Sequence, residues 1–140
     1  MELNEKIIRE LIDKAIEYQK NAYAPYSHFN VGAAVLGANG IVYGGCNIEN
    51  ASYGVTVCAE RTAMFKMVSE GCRTFTALAV VAGKRPEDSL PCGACRQVMT
   101  EFAEDVNSTP VIIAGTDGDY IVKTVIELLP MPFMKFEEND

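Results

Sequence analysis

The chain has 140 residues, of which 49% are hydrophobic and 22% are charged, and this composition predicts a single globular domain spanning residues 1–140. No apolar run approaches the roughly 20 residues of a membrane helix, and the acidic N-terminus lacks the basic start of a secretory signal, so a cytoplasmic protein is expected. The net charge of −7, with 12 basic against 19 acidic residues, argues against a nucleic-acid polymer as partner, because such binders neutralise phosphates with lysine and arginine.

The first half of the chain predicts a helix, a hairpin and a second helix. Apolar residues recur with a helical period from Asn4 to Lys20. Asn39-Gly40 is a strong hairpin signal between strands at 31–36 and 41–43, and Gly44-Gly45 is expected to end the second strand. A long loop then leads to a helix over Ala59–Ser69 with Gly71 at its C-cap.

The second half alternates strands and helices. The continuous apolar run 75–82 predicts a strand buried on both faces, and helix 93–103 follows a polar loop. Strands at 111–114 and 120–122 precede a short helix that begins at the capping box of Thr124 and Glu127. The acidic end, residues 137–140, is expected to be a frayed tail. The order predicts an α/β fold, with helices on both faces of a mixed five-stranded sheet in three α/β/α layers.

The five cysteines favour metal or catalytic use over a disulfide framework, since their number is odd and the protein is expected in the cytosol. Cys58 precedes the second predicted helix, and Cys92 and Cys95 open the third after Pro91. A helix N-terminus stabilises a thiolate. Three thiolate ligands leave one position of a tetrahedral Zn²⁺ open for catalysis, and Glu60, two residues after Cys58, is placed to accept a proton from water there.

The charge of this site needs compensation, because three thiolates on Zn²⁺ leave a formal charge of −1. Arg61 and Arg96 each follow a site residue and are expected to donate hydrogen bonds to the sulfurs. Two other interpretations remain: Cys92 and Cys95 as a redox dithiol, or a closed structural four-cysteine site that recruits Cys46 or Cys72.

The cysteine and glutamate pattern has the form of the zinc deaminase signature, and the chain resembles the small cytidine deaminase family nearly end to end. The resemblance rests on separated blocks in one order: Tyr23-Ala-Pro-Tyr-Ser, Phe29-x-Val-Gly-Ala-Ala, Gly45-Cys-Asn-Ile-Glu-Asn, Cys58-Ala-Glu-Arg-Thr-Ala, Pro91-Cys-Gly-Ala-Cys-Arg-Gln and Leu128-Leu-Pro.

The resemblance implies hydrolytic deamination of cytidine and 2′-deoxycytidine with one Zn²⁺ per chain, in a homotetramer with shared active sites. Glu60 would move a proton from the attacking water to the ring N3 and help protonate the leaving amine. Phe29 would stack on the base, Asn47 and Glu49 would hold the ribose hydroxyls, the backbone at Ala59 would contact the pyrimidine O2, and Tyr53 would reach a neighbouring subunit's pocket.

The tail departs from the family pattern. Phe133 lies near the position of a family C-terminal aromatic that reaches the neighbour's site, but the run Met131-Pro-Phe-Met-Lys-Phe replaces the usual Gly-Ala-Phe ending. Residues 53–57 also lack the family's commonest small and polar residues. Deamination of a cytosine antibiotic such as blasticidin S, and a non-catalytic zinc-stabilised protein, are the alternatives; Asn47 and Glu49 favour the simple nucleoside.

Overall fold

A computed structural model describes residues 3–135 of the chain. It contains the nine helices and strands in the order that the sequence predicts, and the acidic end at 137–140 lies outside the described residues. The elements are α1 (Glu5–Gln19), β1 (Gly32–Gly37), β2 (Val42–Cys46), α2 (Ala59–Ser69), β3 (Phe75–Val81), α3 (Gly93–Phe102), β4 (Pro110–Ala114), β5 (Tyr120–Thr124) and α4 (Val125–Leu128), with 3-10 turns at Tyr53–Val55 and Pro86–Ser89.

The five strands form one mixed sheet in the order β2-β1-β3-β4-β5. β3 and β4 are parallel, and the other neighbouring pairs are antiparallel. The crossover between the two parallel strands carries α3. The prediction of a mixed five-stranded sheet is therefore confirmed.

Two hydrophobic clusters occupy the two faces of the sheet. On one face α1 packs Leu11 and Ala15 against residues such as Ala79 and Ile112. On the other face α2, α3 and α4 pack against alternate residues of the same strands, such as Leu78. β3 is buried on both sides, as its continuous apolar run predicts. The three-layer α/β/α arrangement follows.

The end of β2 differs from the prediction. Gly44 and Gly45 do not end the strand, which continues to Cys46 in register with β1. A Cβ on Gly44 would lie 2.3 Å from the Tyr18 ring, and one on Gly45 would lie 2.5 Å from the main chain of Ala63. The glycines are therefore there because α1 and α2 approach the strand closely, not because the chain turns.

The predicted turns and caps form where expected. Gly40 in the β1–β2 hairpin and Gly71 after α2 have φ angles of +85° and +101°, which suit glycine. Thr124 and Glu127 form a reciprocal capping box at the start of α4. None of the described helices is both long and apolar enough to cross a membrane.

Candidate active site

The N-termini of α2 and α3 meet at one end of the sheet and bring three cysteines together. Cys58 is the N-cap residue of α2 and Cys92 is the N-cap residue of α3. The Cys58 and Cys92 sulfurs are 3.6 Å apart, and the Cys92 and Cys95 sulfurs are 3.5 Å apart. Since neither N-cap side chain bonds its own helix, the unpaired N–H groups of both helix starts favour negative charge on the sulfurs.

This cluster fits a zinc ion with one open position. All three sulfur atoms lie within 4.8 Å of one another, and within residues 3–135 no other cysteine, histidine or carboxylate completes the group. Cys46 and Cys72 are buried elsewhere, which speaks against a closed four-cysteine site. Three soft thiolate donors are a ligand set that zinc prefers.

Arg61 lies beside the cluster and can offset negative charge on its sulfurs. Its Nη2 donates to the Cys58 sulfur at 3.4 Å, while its Nε is buried without a hydrogen-bond partner in the described chain. The sulfurs of Cys58 and Cys95 raise the pKa of Arg61 above its ordinary value. A partly buried guanidinium whose Nε is buried beside the cluster is well suited to offset the negative charge of a three-thiolate site.

A hydrogen bond between Cys95 and Cys58 shifts the pKa values of the two thiols in opposite directions. The pKa of Cys58 is lowered to about 5, chiefly by the hydrogen bond from the Cys95 thiol; Arg61 and Cys92 act in the same direction, and desolvation acts against them. The same contact raises the pKa of Cys95. Binding of a metal to all three sulfurs must therefore release at least the Cys95 proton.

Glu60 is a buried carboxyl next to this cluster. It is the second residue of α2, and only 3% of its surface is exposed. Burial raises its pKa to about 7, and the charge of Cys58 acts in the same direction. A carboxyl with a pKa near neutrality can both accept and return a proton under physiological conditions.

A cleft of about 250 Å³ is lined by most of the site residues that the sequence predicts. Ala59, the fully buried first residue of α2, and Cys95 lie behind this surface in the two helix starts. The predicted site residues that line the cleft are Phe29, Asn47, Glu49, Cys58, Glu60 and Cys92.

Asn47 and Glu49 are held by the segment that carries Phe29. The Asn47 Oδ1 accepts from the Val31 N–H at 2.9 Å, and its Nδ2 donates to the Phe29 carbonyl at 2.9 Å. The Glu49 carboxylate accepts from the N–H of Tyr26 at 3.0 Å and from the N–H and hydroxyl of Ser27. The Ser27 hydroxyl lowers the pKa of Glu49. Both side chains thus organise one wall of the cleft.

Tyr53 lies in a second cavity of about 300 Å³ that shares Ser27, Glu49 and Thr56 with the first. Its ring, 73% exposed, meets the Tyr26 ring edge-on at 5.6 Å between centroids. Phe133 lies along α3, where its carbonyl accepts from Gln97 Nε2 at 2.7 Å. The reach of both aromatic side chains into a neighbouring subunit stays a prediction.

Arg96 differs from the sequence-based expectation. Its Nε donates to the Pro91 carbonyl at 2.8 Å and its Nη1 to the Leu128 carbonyl at 2.9 Å, not to a sulfur. The guanidinium finds these main-chain acceptors because the end of α4 packs against the start of α3. Arg96 therefore fixes the turn that precedes Cys92.

Some cleft residues were missed from the sequence: Ser27, Thr56, Ser89 and Leu90. Ser27 and Leu90 stand beside recognised residues, Ser27 within a block of the resemblance and Leu90 directly before Pro91. For Thr56 and Ser89 the sequence holds no signal, since their position depends on how two loops pack.

Comparison with known proteins identifies the family of the chain. The profile described as the cytidine and deoxycytidylate deaminase zinc-binding region matches residues 5–109. The chain belongs to the cytidine deaminase family. The region matched contains the cysteine cluster, so zinc is the metal that this family fold implies here.

Individual cytidine deaminases match most of the chain. The protein from Halalkalibacterium halodurans is 53% identical over 131 residues, covering 93% of this chain and 96% of the relative. The protein from Sporosarcina psychrophila is 51% identical over 128 residues, covering 91% and 92%. The crystal structure of cytidine deaminase from Burkholderia pseudomallei superposes with a TM-score of 0.82 at 43% identity, covering 94% of this chain and all of that one. A blasticidin-S deaminase from Bacillus cereus is more distant, at 30% identity over 135 residues.

Proposed function

We propose that this chain catalyses hydrolytic deamination of cytidine and 2′-deoxycytidine to uridine and 2′-deoxyuridine with release of ammonia, using one Zn²⁺ per chain. The observation that carries the proposal is the buried Glu60 carboxyl beside a three-cysteine cluster, in a cleft that Phe29 and Glu49 also line. The cytidine deaminases about 50% identical to the chain support the same reaction.

In this proposal Cys58, Cys92 and Cys95 hold the zinc ion, and Arg61 offsets the excess negative charge. The bound metal would supply a water whose pKa is lowered. A thiolate-rich ligand set lowers that pKa less than neutral ligands do, so a nearby proton acceptor is needed. The raised pKa of Glu60 suits that need.

Glu60 carries the proton transfers. It takes a proton from the attacking water and delivers it to N3 of the ring as the water oxygen bonds to C4. It then takes the remaining proton from the hydroxyl group on C4 and passes it to the exocyclic nitrogen, the C4–N4 bond breaks, and ammonia leaves. C4 gains the oxygen of water and loses its amino group, so cytidine and water become uridine and ammonia.

The cleft suits a neutral nucleoside. Phe29, 47% exposed, offers an aromatic face to the base, and the free N–H at Ala59, at the start of α2, suits the pyrimidine O2. Asn47 and Glu49 are proposed to hold the sugar hydroxyls with the amide N–H and carboxylate lone pairs that their protein contacts leave free. Within the described chain no lysine, arginine or histidine side chain lines the cleft, which disfavours a phosphorylated substrate.

We further propose a cytoplasmic homotetramer in which Tyr53 and Phe133 approach a neighbouring active site. An apolar groove of about 510 Å³ beside Tyr53 includes Ile48, Val55 and Phe65, each about half exposed. Apolar side chains of this kind are typical of a surface covered by another subunit. The five described cysteines are all free, which suits a reducing compartment.

The experiment is ultraviolet absorbance of purified, zinc-replete protein with cytidine, with zinc measured on the same sample. Conversion to uridine with about one zinc per chain is expected. Parallel reactions contain blasticidin S and a single-stranded oligonucleotide. Turnover of either of these in the absence of cytidine turnover would refute the proposed substrate, and bound zinc without turnover of any of them would refute the enzymatic role.

A further inference from the structure

The residue that follows β3, Ala82, connects two segments of the cleft. Its N–H donates to Ser89 Oγ at 2.8 Å, and its carbonyl accepts from Gln19 Nε2 at 2.8 Å. Gln19 Nε2 also donates to the Asn30 carbonyl at 3.0 Å. Asn30 lies between Phe29 and Val31, and Ser89 stands three residues before Cys92, so two side chains tie both segments to the main chain of one residue.

Gln19 acts where the strand pairing stops. β1 and β3 pair as far as Gly32 and Val81, and beyond that point Asn30 and Ala82 both present carbonyl oxygens. Two acceptors cannot bond each other, whereas a primary amide has two N–H donors and can give one to each. Gln19 therefore holds the segment that carries Phe29 against the end of β3.

The position of Gln19 is itself fixed by close packing of α1 on β1. A Cβ on Gly32 would lie 1.8 Å from the Ala15 carbonyl oxygen and 2.7 Å from the main-chain nitrogen of Gln19. The last turn of α1 therefore lies directly on the backbone of β1, which places the Gln19 side chain beside the end of that strand.

Ser89 acts on the other segment. Its side chain is 99% buried, and its hydroxyl oxygen accepts from both Ala82 and Gly83. The same loop is held from outside by the β4–β5 turn, where the Thr116 N–H donates to the Gly83 carbonyl and the Asp117 N–H to the Lys84 carbonyl, each at 3.0 Å. The loop that leads to Cys92 is thus fixed on both sides.

We propose that Gln19 and Ser89 are positioning residues that set the width of the slot in which the pyrimidine ring lies, between the Phe29–Val31 segment and the Leu90–Cys92 segment. Both segments, and Ala82 itself, line the cleft. Neither side chain touches the reacting atoms in this proposal, which rests on the proposed function. If the hydrogen bonds of Gln19 or of Ser89 are lost, one of the two segments can move away from the other. The wider slot then accepts a pyrimidine with an added ring substituent, which the wild-type slot binds poorly.

The test compares cytidine with 5-methylcytidine in Gln19→Glu and Ser89→Ala. Gln19→Glu keeps the shape but puts a carboxylate against two carbonyls, and Ser89→Ala leaves two buried N–H groups without an acceptor. In both variants the ratio of kcat/KM for 5-methylcytidine to that for cytidine should rise at least about threefold. A close-fitting pocket can discriminate roughly 10- to 200-fold between substrates that differ by one methyl group, so this rise corresponds to a partial loss of discrimination. The KM for cytidine should rise more than kcat falls, and bound zinc should be unchanged.

Two further variants separate positioning from general loss of stability. Ser89→Thr keeps the hydroxyl and should keep the wild-type ratio. Thr109→Val removes another buried hydroxyl, which accepts from the Asp105 N–H at 2.9 Å outside the cleft, and should lower stability with the wild-type ratio intact. A ratio that stays within about twofold of wild type in both test variants, or that shifts equally in Thr109→Val, would overturn the slot proposal.

The same comparison can be made without turnover, from calorimetric dissociation constants of uridine and 5-methyluridine. If the wild-type protein binds these nucleosides but deaminates neither cytidine nor 5-methylcytidine, the proposed function fails and the ratio of dissociation constants still decides the slot proposal. If it binds none of them, both proposals are wrong.

Discussion

The sulfur of Cys58 lies 3.6 Å from the sulfur of Cys92, although 34 residues separate them in the chain. Each is the N-cap residue of its helix. This contact is possible because α2 and α3 begin at the same end of the sheet, and it places the Glu60 carboxyl of α2 in the cleft that Cys92 of α3 also lines. The meeting of the α2 and α3 N-termini therefore brings the metal ligands together and places the Glu60 carboxyl beside them.

Glu60→Gln should remove almost all turnover of cytidine while the protein keeps its fold and its zinc. The amide is nearly isosteric with the carboxyl but cannot carry the proton, and the loss of a positioned acid–base group costs roughly 10²- to 10⁴-fold in rate. Steady-state kcat and metal content measure this. Glu10→Gln, the same change at an exposed position of α1, is the matched control, and near-normal turnover of Glu60→Gln would refute the shuttle role.

Cys92→Ala should lose zinc and stability together, because metal binding contributes to the free energy of folding. Zinc per chain and the midpoint of thermal unfolding are the measurements. Cys46→Ala removes a buried cysteine outside the cluster and should retain one zinc per chain. Stoichiometric zinc in Cys92→Ala would show that Cys92 is not a ligand.

Arg61→Gln should weaken zinc binding by roughly 10- to 100-fold, the usual effect of removing a group that supports metal ligands. The reason is that the Cys58 sulfur loses its guanidinium donor and the site keeps an uncompensated negative charge. Competition with a chromophoric chelator gives the affinity. Arg9→Gln, at an exposed ion pair with Glu5, serves as control; equal zinc affinities in the two variants would contradict the role assigned to Arg61.

The stability of zinc-free protein should depend on pH through Glu60. Its pKa is raised to about 7 by burial, so the folded state binds this proton more tightly than the unfolded chain. The resulting contribution to the free energy of unfolding is complete below the unfolded pKa and is lost as pH rises through about 7. Wild type should therefore lose up to about 3 kcal/mol relative to Glu60→Gln between pH 4.5 and pH 8.

Chemical denaturation of both zinc-free proteins, under conditions where circular dichroism shows them folded, measures this difference. Cys58 and Arg61 are present in both proteins, so their own titrations largely cancel. A difference between wild type and Glu60→Gln that does not change with pH would mean that Glu60 titrates in the folded chain at its ordinary pKa.

The order of the elements could be predicted because each has a local signal. The helical period of α1, the Asn39-Gly40 turn and the Thr124 capping box depend only on neighbouring residues. The cysteine spacing likewise predicts ligands at two helix starts. By contrast, Gly44 and Gly45 looked like a strand end, since the helix packing that requires them is not visible in the local sequence.

Side-chain partners were harder to predict than positions. The spacing of Arg96 suggests a sulfur partner, but the end of α4 brings the Leu128 carbonyl within 2.9 Å of its guanidinium. The amide of Asn47 bonds to a segment 16 and 18 residues earlier, and Ser89 bonds across a loop to the end of β3. Such contacts depend on how loops pack against each other, for which the sequence has no period or motif.

The most direct test of the account is a titration of zinc into metal-free protein, with the rate of uridine formation from cytidine measured at each addition. The rate should begin near zero, rise in proportion to added zinc and stop rising at about one equivalent per chain. A rate that is already full without zinc, or that never rises as zinc binds, would contradict the assignment of this site.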